Sequence, residues 1–545
     1  MNDFRILLIS SITEFSNAYV ARAPAVGLHR LKHYLKQRSI CCDVPSFDID
    51  PGTVDEFLKK VNQGVYDGVG ISVSHHNMAC DLEMLWKFRS AARNSNKRVL
   101  FFAGGSEATQ NSKQWLLSGV DLVFLGYAEK TFHRICERFK NNANAAVHEL
   151  AGNIPGVSYL DPHGTHIYKP QEIMTDDVFR ELFFTQLLTM DLPYKDYWDV
   201  LRQEGGRLNF NDNVFIPETV RLYTSSHCSR NCGFCSSAPF LKNAQRKPSR
   251  VLMLSAQDVM SLITHYVYHY GARGFLFADD DLFVGSKKGV QRIMDLCKLI
   301  TAAKKNGVLP ENLVFNCQGH VHDFIVSDEN RNKRINVELI NALDEAGFYG
   351  LGLGAETFSN KLLHSPSIRK LDITEEDSRM VIRALGQTKH LNPTINIIVM
   401  IPESTTDDIL YSMKTATQYV LEGYQVAATS LMMSFPGAPL YERPEYRKTV
   451  VTWKNMYGGP DVDFSQFYIP LDRRCAETLP FLRASIATEI EKVKREAQWE
   501  GNSVPKAISS LCIFAATMSA LGQENNANDF REVIHTLLKK EKVVP

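Results

Sequence analysis

The chain has 545 residues, too long for one ordinary hydrophobic core and enough for roughly three or four domains with a cofactor buried between them. Lysine plus arginine equals aspartate plus glutamate, 61 against 61, so the charge points to neither nucleic acid nor an acidic membrane as partner. The eleven cysteines are an odd number and mostly scattered, which suits a reducing compartment where a local group of thiols serves metal or redox chemistry before disulfides.

In chain order, "MNDFRILLIS" lacks the length and cleavage pattern of a signal peptide, and no apolar run reaches the length of a membrane span. A cytoplasmic protein with no membrane span is the expectation. From 1 to 145, apolar runs at "FRILLIS", "CDVPSFDI", "DGVGISVS", "KRVLFFAGG" and "VDLVFLG" alternate with the helical patterns "APAVGLHRLKHYLKQ", "MACDLEMLWKFRSAARN" and "AEKTFHRICERFK". That alternation predicts an α/β unit with a doubly wound parallel sheet of the flavodoxin or Rossmann kind. Such sheets take ligands beyond the carboxyl ends of their strands, here Ser10, Ser11, Ser74, His75, Gly104, Gly105 and Gly126.

Residues 146–215 are less regular and read as a connector, with a hairpin at "NIPGVSYLDPHGTHIY". From 216 to 441 the alternation returns with longer helices: "TVRLYTS", "GFLFADDDLF", "NLVFNCQGHV", "GFYGLGLGAE", "TINIIVMIPES" and "QVAATSLMMSFPG" predict six strands, a partial (β/α)6 barrel. Thr374, with Asp377 three residues on, marks a helix start there. Residues 442–545 read as a mostly helical C-terminal region.

Three cysteines break the scatter. Cys228, Cys232 and Cys235 stand as C-x3-C-x2-C directly after "TVRLYTS", at the carboxyl end of the first strand of the second unit. A structural zinc site wants four protein ligands, and no second Cys or His pair follows at a suitable spacing. Three thiolates instead suit a [4Fe-4S] cluster, whose fourth iron is then left open to a substrate. Gly233 permits the tight path of the loop, and Phe234 sets an aromatic ring beside it.

On these residues the chain resembles the radical S-adenosylmethionine superfamily. The resemblance implies that the open iron binds the amino and carboxylate groups of S-adenosylmethionine, that an electron from the cluster splits the sulfonium, and that the resulting 5′-deoxyadenosyl radical removes a hydrogen atom from substrate. "FADDDLF" resembles a second-strand signature with an acidic pair at Asp279 and Asp280, followed by Phe283; the competing reading is an acidic turn at a helix start. "GLGLGAETFS" resembles a fourth-strand motif whose Gly354 and Glu356 would meet the cofactor, the carboxylate accepting from ribose hydroxyls. "IIVMIPESTTDDI" resembles the fifth-strand motif, with Ile401 and Glu403 standing where the family has glycines, and "SFPGAPLY" resembles the turn after the sixth strand.

Placed before such a unit, residues 1–145 resemble the cobalamin-binding domain of the cobalamin-dependent branch, through "APAVGLHRLKHYLKQRSICCDV", "FFAGGSEAT", "DLVFLGYAEKTF" and "NIPGVSYLDPHG". Small glycines at strand ends let a flat corrin approach the backbone. The Asp-x-His-x-x-Gly signature of many cobalamin proteins is absent, which leaves the lower face of cobalt without an evident ligand; His75 and His76 are the nearby imidazoles, with ordinary hydrogen-bonding roles as the alternative. Cys317, on the third strand of the second unit, reads either as a catalytic hydrogen donor or as a small buried hydrophobe.

The resemblance thus implies an enzyme with three cofactors, a [4Fe-4S] cluster, S-adenosylmethionine and cobalamin, that methylates an unactivated carbon. It would act on a small-molecule or peptide substrate and draw on an external electron donor, with no nucleic acid partner. Two alternatives stand beside it: cyclisation, rearrangement or oxidation by the same architecture without methyl transfer, and a non-catalytic iron-sulfur or zinc protein.

Overall fold

The computed structural model of the chain describes residues 4–11, 22–204, 216–327, 332–499 and 504–541. The N-terminal strands are β1 (Arg5–Ser10), β2 (Cys41–Asp43), β3 (Gly68–Ser72), β4 (Leu100–Gly104) and β5 (Leu122–Phe124), all parallel in the order 2-1-3-4-5. Their unbroken apolar runs follow from burial on both faces. Ile6 and Leu8 pack with Phe102 and Phe132 under the helices Val26–Lys36 and Glu129–Asn141, whereas Leu7 and Ile9 pack with Phe101 and Leu85 under Met78–Arg93. β2 stops at Asp43, short of the expected run, just before Pro45, which has no N–H to give a ladder. The helix Val54–Asn62 was not anticipated, because only Val61 of it is buried and its apolar signal is thin.

The hairpin expected in the connector is present as β6 (Val157–Leu160) and β7 (His166–Lys169), closed by the Asp161 carboxylate accepting from the His163 and Thr165 amides. It does not stand apart: β6 pairs antiparallel with β5 and extends the first sheet to seven strands. The helix Tyr194–Glu204 then drops Tyr194, Tyr197 and Trp198 into the core of the second unit. Residues 205–215, the end of the connector, lie outside the described residues.

The second sheet contains β8 (Thr219–Leu222), β9 (Gly274–Phe277) and β10 (Val314–His320). A small antiparallel pair follows, β11 (Ile325–Ser327) with β12 (Lys333–Ile335). The sheet resumes with β13 (Phe348–Glu356), β14 (Asn392–Met400) and β15 (Gln425–Leu431), giving six parallel strands in consecutive order. Helix starts between them are fixed by reciprocal caps, Ser255 with Asp258, Thr374 with Asp377 and Thr405 with Asp408. One face of the sheet, carrying Phe275, Phe277, Phe315, Leu351, Leu353 and Ile395, is sealed under those helices. The other face alternates out of it.

Beyond 441 the chain first forms a hairpin, β16 (Lys448–Trp453) with β17 (Val462–Tyr468), which the mostly helical reading did not include. Its alternation is masked by polar residues because only one face of it is covered. Val462 and Phe464 enter the core of the first sheet, with the Phe464 ring 5.4 Å from that of Trp115. The helices Arg473–Ala497, Lys506–Ala520 and Glu524–Glu541 complete the chain, the middle one tied to the second sheet by Ser510, whose hydroxyl donates to the Val426 carbonyl and accepts from the Ala428 amide. No described helix is long and apolar enough to cross a membrane.

Candidate active site

The cysteine loop leaves β8 and turns over the carboxyl ends of β8 and β9. Its foundation is Asp279, a buried carboxylate that accepts from the Thr224 amide (2.9 Å) and hydroxyl (2.8 Å) and from the Ser225 amide (2.6 Å) and hydroxyl (2.5 Å). Burial raises the Asp279 pKa, and the nearby Arg292 guanidinium opposes the rise while donating to the carbonyls of Thr224, Leu254 and Leu282. Asp279 is thereby fully committed to holding the loop. Asp280 behaves differently: water reaches it, yet the surrounding walls and its acidic neighbours bring its pKa to about 6, and it faces a cavity.

Within the loop the three thiols lie within electrostatic reach of one another. Burial raises all three pKa values, that of Cys232 to about 11, with Lys370 pulling it back. Two backbone amides point at sulfur, Arg230 N–H to Cys228 Sγ at 3.3 Å and Ser237 N–H to Cys235 Sγ at 3.4 Å, the kind of donors that stabilise thiolate ligands of an iron-sulfur cluster. Among the described residues no three His, Cys, Asp or Glu side chains converge closely enough to hold a single metal ion. Gly233 is required where it stands, since a Cβ there would come within 2.1 Å of the Pro366 carbonyl oxygen. Phe234 packs at the edge of the core beside the loop.

Arg230 braces the loop from below. Its side chain, only 14% exposed, pairs with Asp281 and Asp372 at 3.4 Å each and with Asp323. Glu356 ends β13 in a left-handed conformation, φ +64°, an uncommon state for a residue with a side chain, and Lys370 fixes its carboxylate at 2.9 Å while donating to the Gly354 carbonyl. Glu403 is held through one oxygen, Oε1, which accepts from the Tyr446 hydroxyl (2.7 Å) and the Ser367 amide (3.3 Å).

A cavity of about 440 Å³ lies between the two sheets. Its floor is the carboxyl end of the first sheet, with Gly104, Gly105 and Gly126, and its roof is the base of the cysteine loop, with Ser225, His227, Ser237 and Asp280. A methyl group at Gly27 or Gly104 would meet no atom within 4 Å, so both glycines border open space. Gly105 has φ +105°, and a Cβ on it would stand 2.8 Å from the Val73 carbonyl oxygen. One wall carries the buried ion pair of Arg30 with Glu129 at 2.5 Å, the guanidinium lying 4.4 Å above the Phe183 ring. Tyr127 bridges the units, its hydroxyl donating to the Ser226 carbonyl at 2.8 Å.

Several of the sequence-derived positions fall outside this space. Ser74 and His75 do not border the cavity: the Ser74 amide donates to Asp81, and the His75 ring lies 3.2 Å from Glu107 and meets the Phe435 ring at a tilt, centroids 4.9 Å apart. His76 likewise meets Phe435, and burial lowers its pKa. Ser11 donates to Asp81 at 2.5 Å. Cys317 is 3% exposed in the core of the second unit, in the place of a small hydrophobe. Conversely, Arg30, Tyr127, Arg221 and His227 border the cavity without having been assigned to a site from the sequence, since an isolated charge or ring carries no motif.

No protein-family model matches the chain. A curated relative, the cytidylyl-2-hydroxyethylphosphonate methyltransferase of Streptomyces wedmorensis, is 22% identical over 351 residues, 62% of this chain and 59% of that one, so the match spans about three fifths of the relative. The solved structure of the cobalamin-dependent S-adenosylmethionine radical enzyme OxsB with aqua-cobalamin bound is similar over 99% of this chain and 81% of its own, at 14% identity and a TM-score of 0.66. That of the radical S-adenosylmethionine methyltransferase TsrM from Kitasatospora setae, with cobalamin and a [4Fe-4S] cluster bound, is similar over 97% of this chain and 99% of its own, at 12% identity and a TM-score of 0.60. The chain has the fold of these cobalamin-dependent radical S-adenosylmethionine enzymes.

Proposed function

We propose that this chain is a cobalamin-dependent radical S-adenosylmethionine enzyme and, within that class, a methyltransferase acting on a carbon with neither acidity nor nucleophilicity. The observation that carries the reading is the single cavity floored by the strand-end glycines of one sheet and roofed by the cysteine loop of the other. Two cofactors serving one reaction need such a common space, and water must be kept from it.

In this reading residues 1–145 form the corrin-binding unit, 146–215 the connector, 216–441 a partial (β/α)6 barrel and 442–545 the C-terminal region. Cys228, Cys232 and Cys235 hold the [4Fe-4S] cluster, with the Arg230 and Ser237 amides donating to sulfur. Phe234 shields it. Glu356 receives the ribose hydroxyls of S-adenosylmethionine, its carboxylate held by Lys370, and Asp280 stands beside the cofactor, able to hold or release a proton near pH 6. Gly104, Gly105 and Gly126 let the corrin lie against backbone. When bound, the cluster supplies an electron for reductive cleavage of the sulfonium, and cobalamin carries the methyl group. The substrate is a small molecule or peptide, electrons come from an external donor, and the protein works in the cytoplasm.

The test is anaerobic purification with iron, sulfide and corrin counted per chain, followed by product analysis after reduction. About four irons and one corrin per chain are expected, with S-adenosylhomocysteine and 5′-deoxyadenosine both formed alongside a methylated product. Cys228→Ala, Cys232→Ala and Cys235→Ala should each lose the iron and all cleavage of S-adenosylmethionine. Deoxyadenosine formed without S-adenosylhomocysteine would reject methyl transfer; a colourless protein holding one zinc would reject the whole reading.

A further inference from the structure

A second, smaller depression, of about 230 Å³, opens on the surface and shares no lining residue with the cavity between the sheets. It still touches the cysteine loop. Pro366 and Leu440 line it, and both close on Gly233: the Leu440 amide donates to the Gly233 carbonyl at 2.8 Å, and the Pro366 carbonyl stands where a Cβ of Gly233 would. The Gly233 amide in turn donates to the Ile368 carbonyl at 3.3 Å. Gly233 follows Cys232 directly, so the wall of the depression touches the residue next to a cluster thiol.

The ionisable groups lining it are His364, Arg369 and Arg443, with no acid among them. Two are already engaged. His364 donates through Nε2 to the Ile373 carbonyl at 2.9 Å, and Arg443 pairs with Glu445 at 3.0 Å, both partners of that pair being exposed. The exposed Arg369 guanidinium makes no ion pair or hydrogen bond with any described residue. Its backbone is left-handed, φ +58°, which is uncommon for a residue with a side chain. The turn is fixed on either side: the Arg369 amide donates to the Ser365 carbonyl and the Lys370 amide to the Leu363 carbonyl, each at 2.9 Å, and Lys370 is buried against Glu356. Arg369 and Leu371, the latter 69% exposed, are thereby presented outward, while Ile368 and Lys370 are buried. Nearby acids turn elsewhere, Asp372 to Arg230 at 3.4 Å and Glu442 into the field of Lys448.

From this arrangement, and resting on the proposed function, we infer that the depression is where the external electron donor docks, and that the donor is a small acidic protein carrying a one-electron centre. An unpaired guanidinium on a fixed turn attracts carboxylates and holds them with paired hydrogen bonds. A shallow site suffices, since electron-transfer encounters bury little surface and rely on charge for their rate. The step moves one electron, lost by the donor and gained by the cluster, with no bond made or broken. Entry through this wall leaves the cavity between the sheets closed to water while the cluster is reduced.

The full chain, loaded with cluster, is mixed with a ferredoxin rich in surface carboxylates. Affinity for the oxidised ferredoxin and the rate at which the reduced form reduces the cluster are measured, with reduced methyl viologen as a reductant that needs no docking. The wild type should bind the ferredoxin at low ionic strength, and both affinity and rate should fall as salt is raised. Arg369→Gly, which the left-handed backbone accommodates without strain, should weaken binding and slow reduction about tenfold, and Arg369→Glu should do so further. Iron content and reduction by methyl viologen should stay at wild-type values. Equal ferredoxin binding by all three proteins overturns the inference, as does wild-type binding unchanged after the ferredoxin carboxylates are amidated, or methyl viologen reduction that slows in step with the ferredoxin. A wild type that sediments as a dimer beside a monomeric Arg369→Gly assigns the depression to a second copy and overturns it too. Failure of the wild type to load about four irons per chain would instead strike the proposed function, and is read separately before any ferredoxin is added.

Discussion

Asp81 shows how much one buried carboxyl can weigh. It is 1% exposed at the carboxyl end of the first sheet, accepts from Ser11, the Ser74 amide and Asn77, and is brought by burial from an ordinary 3.8 to about 7. Because its folded pKa lies above its unfolded one, its stabilising share is complete below about pH 4 and is lost as pH rises through 7. Over that window the loss is roughly 4 kcal/mol at about 1.4 kcal/mol per unit. Urea unfolding between pH 4.5 and 8 should therefore show stability falling, and Asp81→Asn should flatten the slope; an unchanged slope would remove Asp81 as its source. Lys370 makes the opposite case: with its side chain 2% exposed and joined to Glu356, its replacement by Met leaves an unpaired carboxylate, for an expected loss of about 3 kcal/mol in the same measurement.

At the level of elements, the cysteine loop is held by groups that are not cysteines. Asp279 satisfies four donors of Thr224 and Ser225, so Asp279→Ala should release the loop and lower stability by roughly 2–5 kcal/mol. Gly233→Ala forces a Cβ into the Pro366 carbonyl, and because the clash is local the expected result is normal circular dichroism with iron content sharply reduced after reconstitution. A variant holding its full iron would show that the segment 365–370 yields easily. The thiol spacing was legible because chemistry demands those residues at that interval. Asp279 was legible only as an acid in a motif; its true partners, fifty-odd residues earlier, are set by the pairing of β8 with β9.

Across the whole molecule, the units are joined by specific ties. The Tyr127 hydroxyl reaches the Ser226 carbonyl, and the β16–β17 hairpin from the far end of the chain inserts Phe464 against Trp115 beneath the first sheet. Phe464→Ala should cost about 3–5 kcal/mol as a core cavity. It should lower the transition seen by tryptophan fluorescence and by circular dichroism together; loss of fluorescence cooperativity alone would show that the first sheet unfolds independently.

The residues alone determined the two α/β units, most of the strands, the grouping of the three thiols in one loop and the Thr374 cap, because periodicity, turn chemistry and close spacing are local properties. They did not determine that the 157–169 hairpin would extend the first sheet, that His75 would turn to Glu107 and away from the cavity, or that Arg221 would border that cavity. Those outcomes belong to the tertiary structure, since whether a buried polar group is free or satisfied depends on which distant segment the packing of nonpolar faces brings against it.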